Sequence, residues 1–201
     1  MSFLAWLLGR PPSADPAALS RFLGRQSAYV TQRTVVDYCR VKAGRREAEL
    51  FGNPDFVVAL RHCRWQVFFA SVADVSALAQ AWLRPHAVGQ EAALSAAIAG
   101  LGRGVLDAEQ VPEDEHKARG AARDGLAAHL AGLLAMPPAP ADRMPLSAEA
   151  PLFATLPIHA EDRRGEGQAI RGALRFHIVS TQQEMERAFD APRLAARLLG
   201  A

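Results

Sequence analysis

The sequence contains few lysines, cysteines and aromatic residues. Lys42 and Lys117 are its only lysines, although lysine and arginine together number 23, and aromatic residues make up 7 % of the 201 residues. Two cysteines are too few for the disulfide framework that stabilises small secreted domains. We therefore expect Cys39 and Cys63 to be buried free thiols in a cytoplasmic protein, with a disulfide between them as the alternative.

Long apolar runs and catalytic motifs are also missing. No stretch of about 18 uninterrupted apolar residues occurs, so the sequence predicts no transmembrane helix. The histidines are scattered, and no paired-histidine metal motif or phosphate-binding loop is present. Glu113 and His116 have the spacing of a di-iron motif, but without a second copy an acidic helix N-terminus explains them better. We expect neither metal nor cofactor, and we favour a protein that is not an enzyme.

What the sequence does contain favours helix. Half of its residues are hydrophobic, 22 % are charged, and alanine, leucine and arginine are abundant. This composition predicts an all-α protein: a single bundle-like helical domain over residues 13–201 with two long N-terminal helices. Several shorter helices follow, with a proline-rich loop near residues 136–146. Residues 1–12 form a separate apolar N-terminal segment. The arginine bias is typical of a bacterial protein.

The first long helix is predicted over residues 16–41. Asp15 is a good N-cap, Pro16 suits the first helical position, and Gly44 is a stop signal. Apolar residues at helical spacing predict one buried edge, made of Leu19, Leu23, Val30, Tyr38 and Val41.

The second long helix is predicted over residues 54–83. Asn53 and Pro54 repeat the start signal, and Arg84 followed by Pro85 ends the helix. Shorter helices are predicted over residues 87–106, 112–135, 147–156 and 168–189, with a last helix after Asp190. Ser147 is the expected N-cap of the 147–156 helix. The Gly100, Gly102 and Gly104 cluster follows no predicted strand, so it predicts a fraying helix end and no dinucleotide site.

Asp74 lies on the apolar side of the second long helix. A buried carboxylate must be paired, protonated or functional. We expect Arg33 or Tyr38 of the first long helix to be its partner. The alternative is that Asp74, Tyr38 and Arg33 are polar anchors in the cavity of a carrier or sensor for a hydrophobic ligand.

The N-terminal segment is the best candidate for a contact surface. It combines the apolar side chains Phe3, Leu4, Trp6 and Leu7 with the bases Arg10, Arg21 and Arg25. Residues 1–46 hold eight bases and two acids, a local charge of +6 in a chain whose net charge is +2. An apolar segment beside bases can bind weakly to an anionic membrane surface. The alternatives are that it contacts a partner or folds back into a groove of the same protein.

The functional expectation is a non-enzymatic interaction or assembly protein with a protein partner, in the cytoplasm or at the inner face of the membrane. A homodimer is left open. The alternative is the carrier or sensor, and an enzyme of unrecognised type comes third. We do not expect nucleic acid as a partner, because the chain is nearly neutral and has no helix-turn-helix, although four arginines could form a basic face: Arg21, Arg25, Arg33 and Arg40.

Overall fold

A computed structural model describes residues 11–200 of the chain. The protein is 77 % helical, and its described residues contain no β-strand beyond an isolated bridge between Ser13 and Phe189. The predicted all-α fold is therefore confirmed. The predictions made for Phe3, Leu4, Trp6, Leu7 and Arg10 lie outside the described residues.

The first long helix begins where the sequence predicted. The Asp15 carboxylate accepts hydrogen bonds from the amides of Ala17 and Ala18, at 3.0 and 3.1 Å. Helix α1 (Pro16–Thr31) continues into a π turn (Gln32–Val36) and then into helix α2 (Asp37–Ala43). The helical path ends at Gly44, whose positive φ of 52° suits a residue without a side chain.

The π turn changes which residues of the first long helix are buried. Leu19, Leu23 and Val30 are buried before it, as predicted, but Val41 is 81 % exposed after it. The prediction for Val41 was wrong because a π turn inserts one extra residue and rotates the following helix against the apolar pattern. On the helix after the π turn, Cys39 is consequently fully buried, whereas Tyr38 is only partly buried.

Helix α4 (Pro54–Leu83) is the central element of the fold. The Asn53 side chain accepts from the amides of Asp55 and Phe56, as expected for its N-cap. The stretch Pro54–His86 has the length and hydropathy of a membrane span, but 72 % of its most apolar window is buried inside the protein. A core helix passes the same test, so this is only weak support for a membrane span.

Shorter helices pack around α4. They are α3 (Glu47–Gly52), α5 (Glu91–Ala108), α6 (His116–Leu133), α7 (Glu149–Thr155), α8 (Gly167–Ala188) and α9 (Ala191–Leu198). Helix α8 runs antiparallel to the first long helix, because Glu166 at its start bonds to Tyr38 and Thr181 near its end bonds to Gln26. Residues 134–148 contain no helix and include the predicted proline-rich loop.

Helix α5 does not fray at its glycines. It continues through Gly100, Gly102 and Gly104 to Ala108, so that prediction was wrong. A Cβ atom at Gly102 would lie 2.6 Å from Leu126 Cδ2 and 2.8 Å from Ser76 Oγ. Gly102 therefore lets α5 pack closely against α4 and α6, and this packing compensates for the low helix propensity of glycine.

Both cysteines are buried free thiols, as expected. Burial raises the pKa of the Cys39 thiol to about 12 and that of Cys63 to about 11. Neither forms a thiolate near neutral pH, so both act as small apolar core residues there.

Candidate functional site

Asp74 has two backbone partners, and neither predicted side chain is among them. Its carboxylate is fully buried and accepts hydrogen bonds from the amide of Ser147 at 2.6 Å and that of Ala148 at 3.0 Å. The expectation of Arg33 or Tyr38 was wrong because Asp74 points from α4 towards the start of α7. Ser147 does not cap α7 with its own side chain. The carboxylate of Asp74 satisfies these amides from a neighbouring helix instead.

The surroundings of Asp74 shift the pKa of its carboxyl group in opposite directions. Burial raises the pKa of its carboxyl to about 6, while the two amides and the charge of Arg175 lower it. Because this pKa still lies below 7, the group is ionised at neutral pH. Both of its oxygen atoms are engaged in holding the chain that leads into α7, so Asp74 has a structural role in this arrangement.

The segment before α7 is fastened to the core by side chains. We call residues 134–148 the strap. Arg84 of the turn after α4 donates to the carbonyls of Leu134 and Met136, at 3.0 and 2.6 Å. Arg175 of α8 donates to the carbonyls of Ala141 and Met144, and Gln182 accepts from the amide of Ala141. With Asp74, these contacts bind the strap to two long helices along its length.

Tyr38 and Arg33 do lie together, in a surface groove between the first long helix and α8. The groove is a cleft of about 250 Å³, and we call it the α2–α8 groove. Asp74 is not part of it, so the three predicted polar anchors do not form one site. The side chains that line the groove are Arg33, Thr34, Asp37, Tyr38, Val41, Ala169, Ile170 and Ala173.

The charged groups of the groove are paired with one another. Arg33 donates to Asp37 at 2.8 Å, and Tyr38 donates to the Glu166 carboxylate at 2.7 Å. Lys42 forms an ion pair with the same carboxylate. Burial and the hydrogen bond to Glu166 raise the pKa of Tyr38, so its hydroxyl stays a donor. Since these polar groups are already satisfied, the groove offers a contacting molecule mainly apolar surface.

Two large apolar side chains are exposed in and beyond the groove. Val41 lines it and is 81 % exposed, and Phe176, three residues after the lining residue Ala173 on α8, is 66 % exposed. The His177 ring lies between those of Phe176 and Tyr29, with centroid distances of 5.5 and 5.6 Å. Large exposed apolar side chains that border a cleft are typical of contact surfaces.

Sequence reasoning missed Phe176, although a signal was present. The buried face of α8 includes Ile170, Leu174 and Ile178, which recur at helical spacing in the sequence. Phe176 lies two residues from both Leu174 and Ile178, which places it on the opposite side of a helix. An aromatic residue off the apolar face of its helix could have been singled out from this pattern alone.

The predicted basic face is largely neutralised. Arg21 lies 3.6 Å from Asp15, Arg33 pairs with Asp37, and Arg40 lies 3.2 Å from Glu47. Nearby carboxylates therefore neutralise the positive charge of three of the four arginines. Little net positive charge remains on this face to attract phosphate groups.

Comparisons with known proteins give no functional assignment. No protein-family model, curated protein or solved structure matches this chain. Residues 11–200 also contain no group of three histidine, cysteine or carboxylate side chains placed to hold a metal ion. The function is therefore argued from the groove.

Proposed function

We propose that this protein acts by binding another protein, and that the α2–α8 groove receives an amphipathic helix of that partner. The observation that carries the proposal is the exposure of Val41 in a groove whose charged groups are already paired, with the exposed ring of Phe176 three residues after Ala173 on α8. A groove between two antiparallel helices suits a third helix that lays its apolar face along it.

The exposed side chains supply the energy for such binding. Burying a phenylalanine side chain contributes roughly 1.5–3 kcal/mol relative to leaving it exposed, and a valine at the low end of that range. Residues of this kind act as anchors when a ring of neighbouring contacts excludes water. The Arg33–Asp37 pair lies at the groove, where it restricts how the partner helix can be placed.

A carrier for a hydrophobic ligand is less well supported. The cleft of about 250 Å³ is open to the surface and lies below the roughly 300–1,000 Å³ of usual small-molecule sites. The polar anchor expected for such a ligand, Asp74, is bonded to the strap. Membrane contact through the N-terminal segment remains a prediction from sequence alone and is separate from the groove.

Site-specific photo-crosslinking tests the proposal. A photoreactive residue replaces Val41 or Phe176 in the full-length chain, expressed in cells that make the protein naturally. Val88 is the matched control, because it is also 81 % exposed but lies in the turn before α5 and does not line the groove. We expect positions 41 and 176 to label the same helical segment of one partner protein, and position 88 to leave it unlabelled.

A variant that fills the groove gives the second arm of the test. Ala173→Trp places a large side chain on the groove wall and should abolish labelling from position 176 while the chain keeps its helicity. Labelling of a second copy of this chain would replace the proposal with a homodimer. Equal labelling from position 88, or none from either position 41 or position 176, would overturn it.

A further inference from the structure

The strap contains a segment whose backbone is restricted by proline. Residues 137–140 read Pro-Pro-Ala-Pro. Proline fixes its own φ near −65°, and a residue before proline is driven to extended ψ values. Met136, Pro137 and Ala139 each precede a proline. These restrictions favour the polyproline II conformation, and no helix or strand is present over these residues.

One side of this segment faces the protein and the other sides face solvent. Ala139 is partly buried and packs against the core, while Pro137, Pro138 and Pro140 are exposed. Polyproline II has three residues per turn, so Pro137 and Pro140 lie on the same edge. Met136 is 62 % exposed and extends the apolar surface at the start of the segment.

The segment is also fastened at both ends. Arg84 holds the carbonyls of Leu134 and Met136 before it, and Gln182 and Arg175 hold Ala141 after it. Binding an extended peptide ordinarily costs the entropy of ordering it. Here the fold has already imposed that order, so a partner would meet a preorganised ligand.

The hydrogen-bonding character of the segment narrows the class of partner. Its three prolines have no N–H, and the carbonyls of Pro137 and Pro138 accept no hydrogen bond from residues 11–200. A partner must therefore donate hydrogen bonds and offer flat apolar surface for the rings. Grooves lined with tryptophan and tyrosine do both, because these side chains combine an aromatic face with a donor.

We propose that Pro137 and Pro140, displayed on the strap, form a recognition element for a partner domain with an aromatic-lined groove that binds polyproline II segments. This surface is separate from the α2–α8 groove, so the result of testing one proposal does not affect the other. The inference rests on the Pro-x-x-Pro spacing, the exposure of the three prolines and the anchoring of both flanks.

Two purified probe domains test it: a nitrogen-15-labelled WW domain and a labelled Src-homology-3 domain. Each is titrated with the unlabelled full-length chain and followed by NMR. We expect saturable shift changes confined to the aromatic groove of at least one domain. The Pro137→Ala, Pro140→Ala double variant should bind at least about tenfold more weakly, which corresponds to roughly 1.4 kcal/mol. Pro145→Ala, a change elsewhere on the strap, should bind as the wild type does.

A synthetic peptide of residues 134–146 gives a measurement that does not depend on the folding of any variant. It should compete for the same aromatic groove, but more weakly than the intact chain, because it must be ordered on binding. Absence of saturable binding to both domains would overturn the proposal. So would undiminished binding by the double variant. A peptide that competes as strongly as the intact chain would contradict the preorganisation of the segment.

Discussion

Replacing Asp74 by alanine removes the acceptor for two amides at the start of α7. In the native protein the carboxylate is fully buried and accepts from Ser147 and Ala148, at 2.6 and 3.0 Å. Alanine leaves both N–H groups without that partner, in a place that water reaches poorly. We expect the strap and α7 to lose their attachment to α4 at this point.

The expected loss of stability at neutral pH combines two opposing effects. Each buried donor left unpaired costs about 1–3 kcal/mol. Removing a buried charge offsets most of this, because raising the Asp74 pKa from its ordinary value of 3.8 to about 6 corresponds to roughly 3 kcal/mol. Two donors cost about 2–6 kcal/mol together, so after this offset we expect Asp74→Ala to lower the free energy of unfolding by at most about 3 kcal/mol near pH 7.

The effect should depend on pH with a definite sign. Because the folded pKa lies above that of the unfolded chain, the folded state binds the proton more tightly. The stabilisation from this group is complete below the unfolded pKa and is lost as pH rises through about 6. The difference between wild type and Asp74→Ala should thus grow by up to about 3 kcal/mol when the pH falls from about 7 to about 4.

Urea unfolding followed by far-ultraviolet circular dichroism measures this difference. Ser71→Ala is the matched control, because Ser71 lies one turn earlier on α4, is buried, and has a hydroxyl without a partner among the described residues. We expect that control to change stability by less than about 1 kcal/mol at either pH. Hydrogen exchange should also show lost protection at the amides of residues 147 and 148 in Asp74→Ala alone.

Two outcomes would contradict this account of Asp74. A urea midpoint for Asp74→Ala that equals that of Ser71→Ala near pH 4 would refute its structural role. A difference from wild type that shrinks as the pH falls would refute the raised pKa, since it would mean that the carboxyl pKa is lowered in the folded state.

Three further predictions concern packing, thiol burial and the N-terminal segment. Gly102→Ala should destabilise the protein by about 1–3 kcal/mol, because its Cβ would overpack against Leu126 and Ser76. Gly104→Ala should raise the melting temperature, because its Cβ meets nothing within 4 Å and alanine gains up to about 1 kcal/mol in helix propensity. Equal melting temperatures for the two variants would contradict this. Cys39 and Cys63 should resist a thiol reagent near neutral pH until urea unfolds the chain, and fast native labelling would contradict their burial. Deleting residues 2–10 should abolish flotation with anionic liposomes, and flotation that survives the deletion would exclude the segment as the membrane contact.

The local signals of the sequence located the long helices. Asp15 with Pro16, and Asn53 with Pro54, predicted both starts, because an N-cap bonds to amides two and three residues away in its own chain. Such contacts need no knowledge of the remaining fold. The same holds for Gly44, whose positive φ ends the first long helix.

The burial pattern after residue 31 was not predictable in this way. Periodicity assumes an unbroken α-helix, and the π turn shifts the pattern by one residue, so that Cys39 is buried and Val41 is exposed. The α2–α8 groove depends on this shift. Its wall on the first long helix includes Arg33 and Tyr38, which the sequence predicts as anchors of a cavity shared with Asp74.

The position of Asp74 in the amino-acid pattern already shows that it requires a partner, because a carboxylate on an apolar helix face cannot be left unpaired without a large cost. The identity of that partner follows from the packing of α7 on α4, since Ser147 lies 73 residues away along the chain. Gly102 shows the same division. Helix propensity is a property of the residue, whereas the space available beside it is set by Ser76 and Leu126, on two other helices.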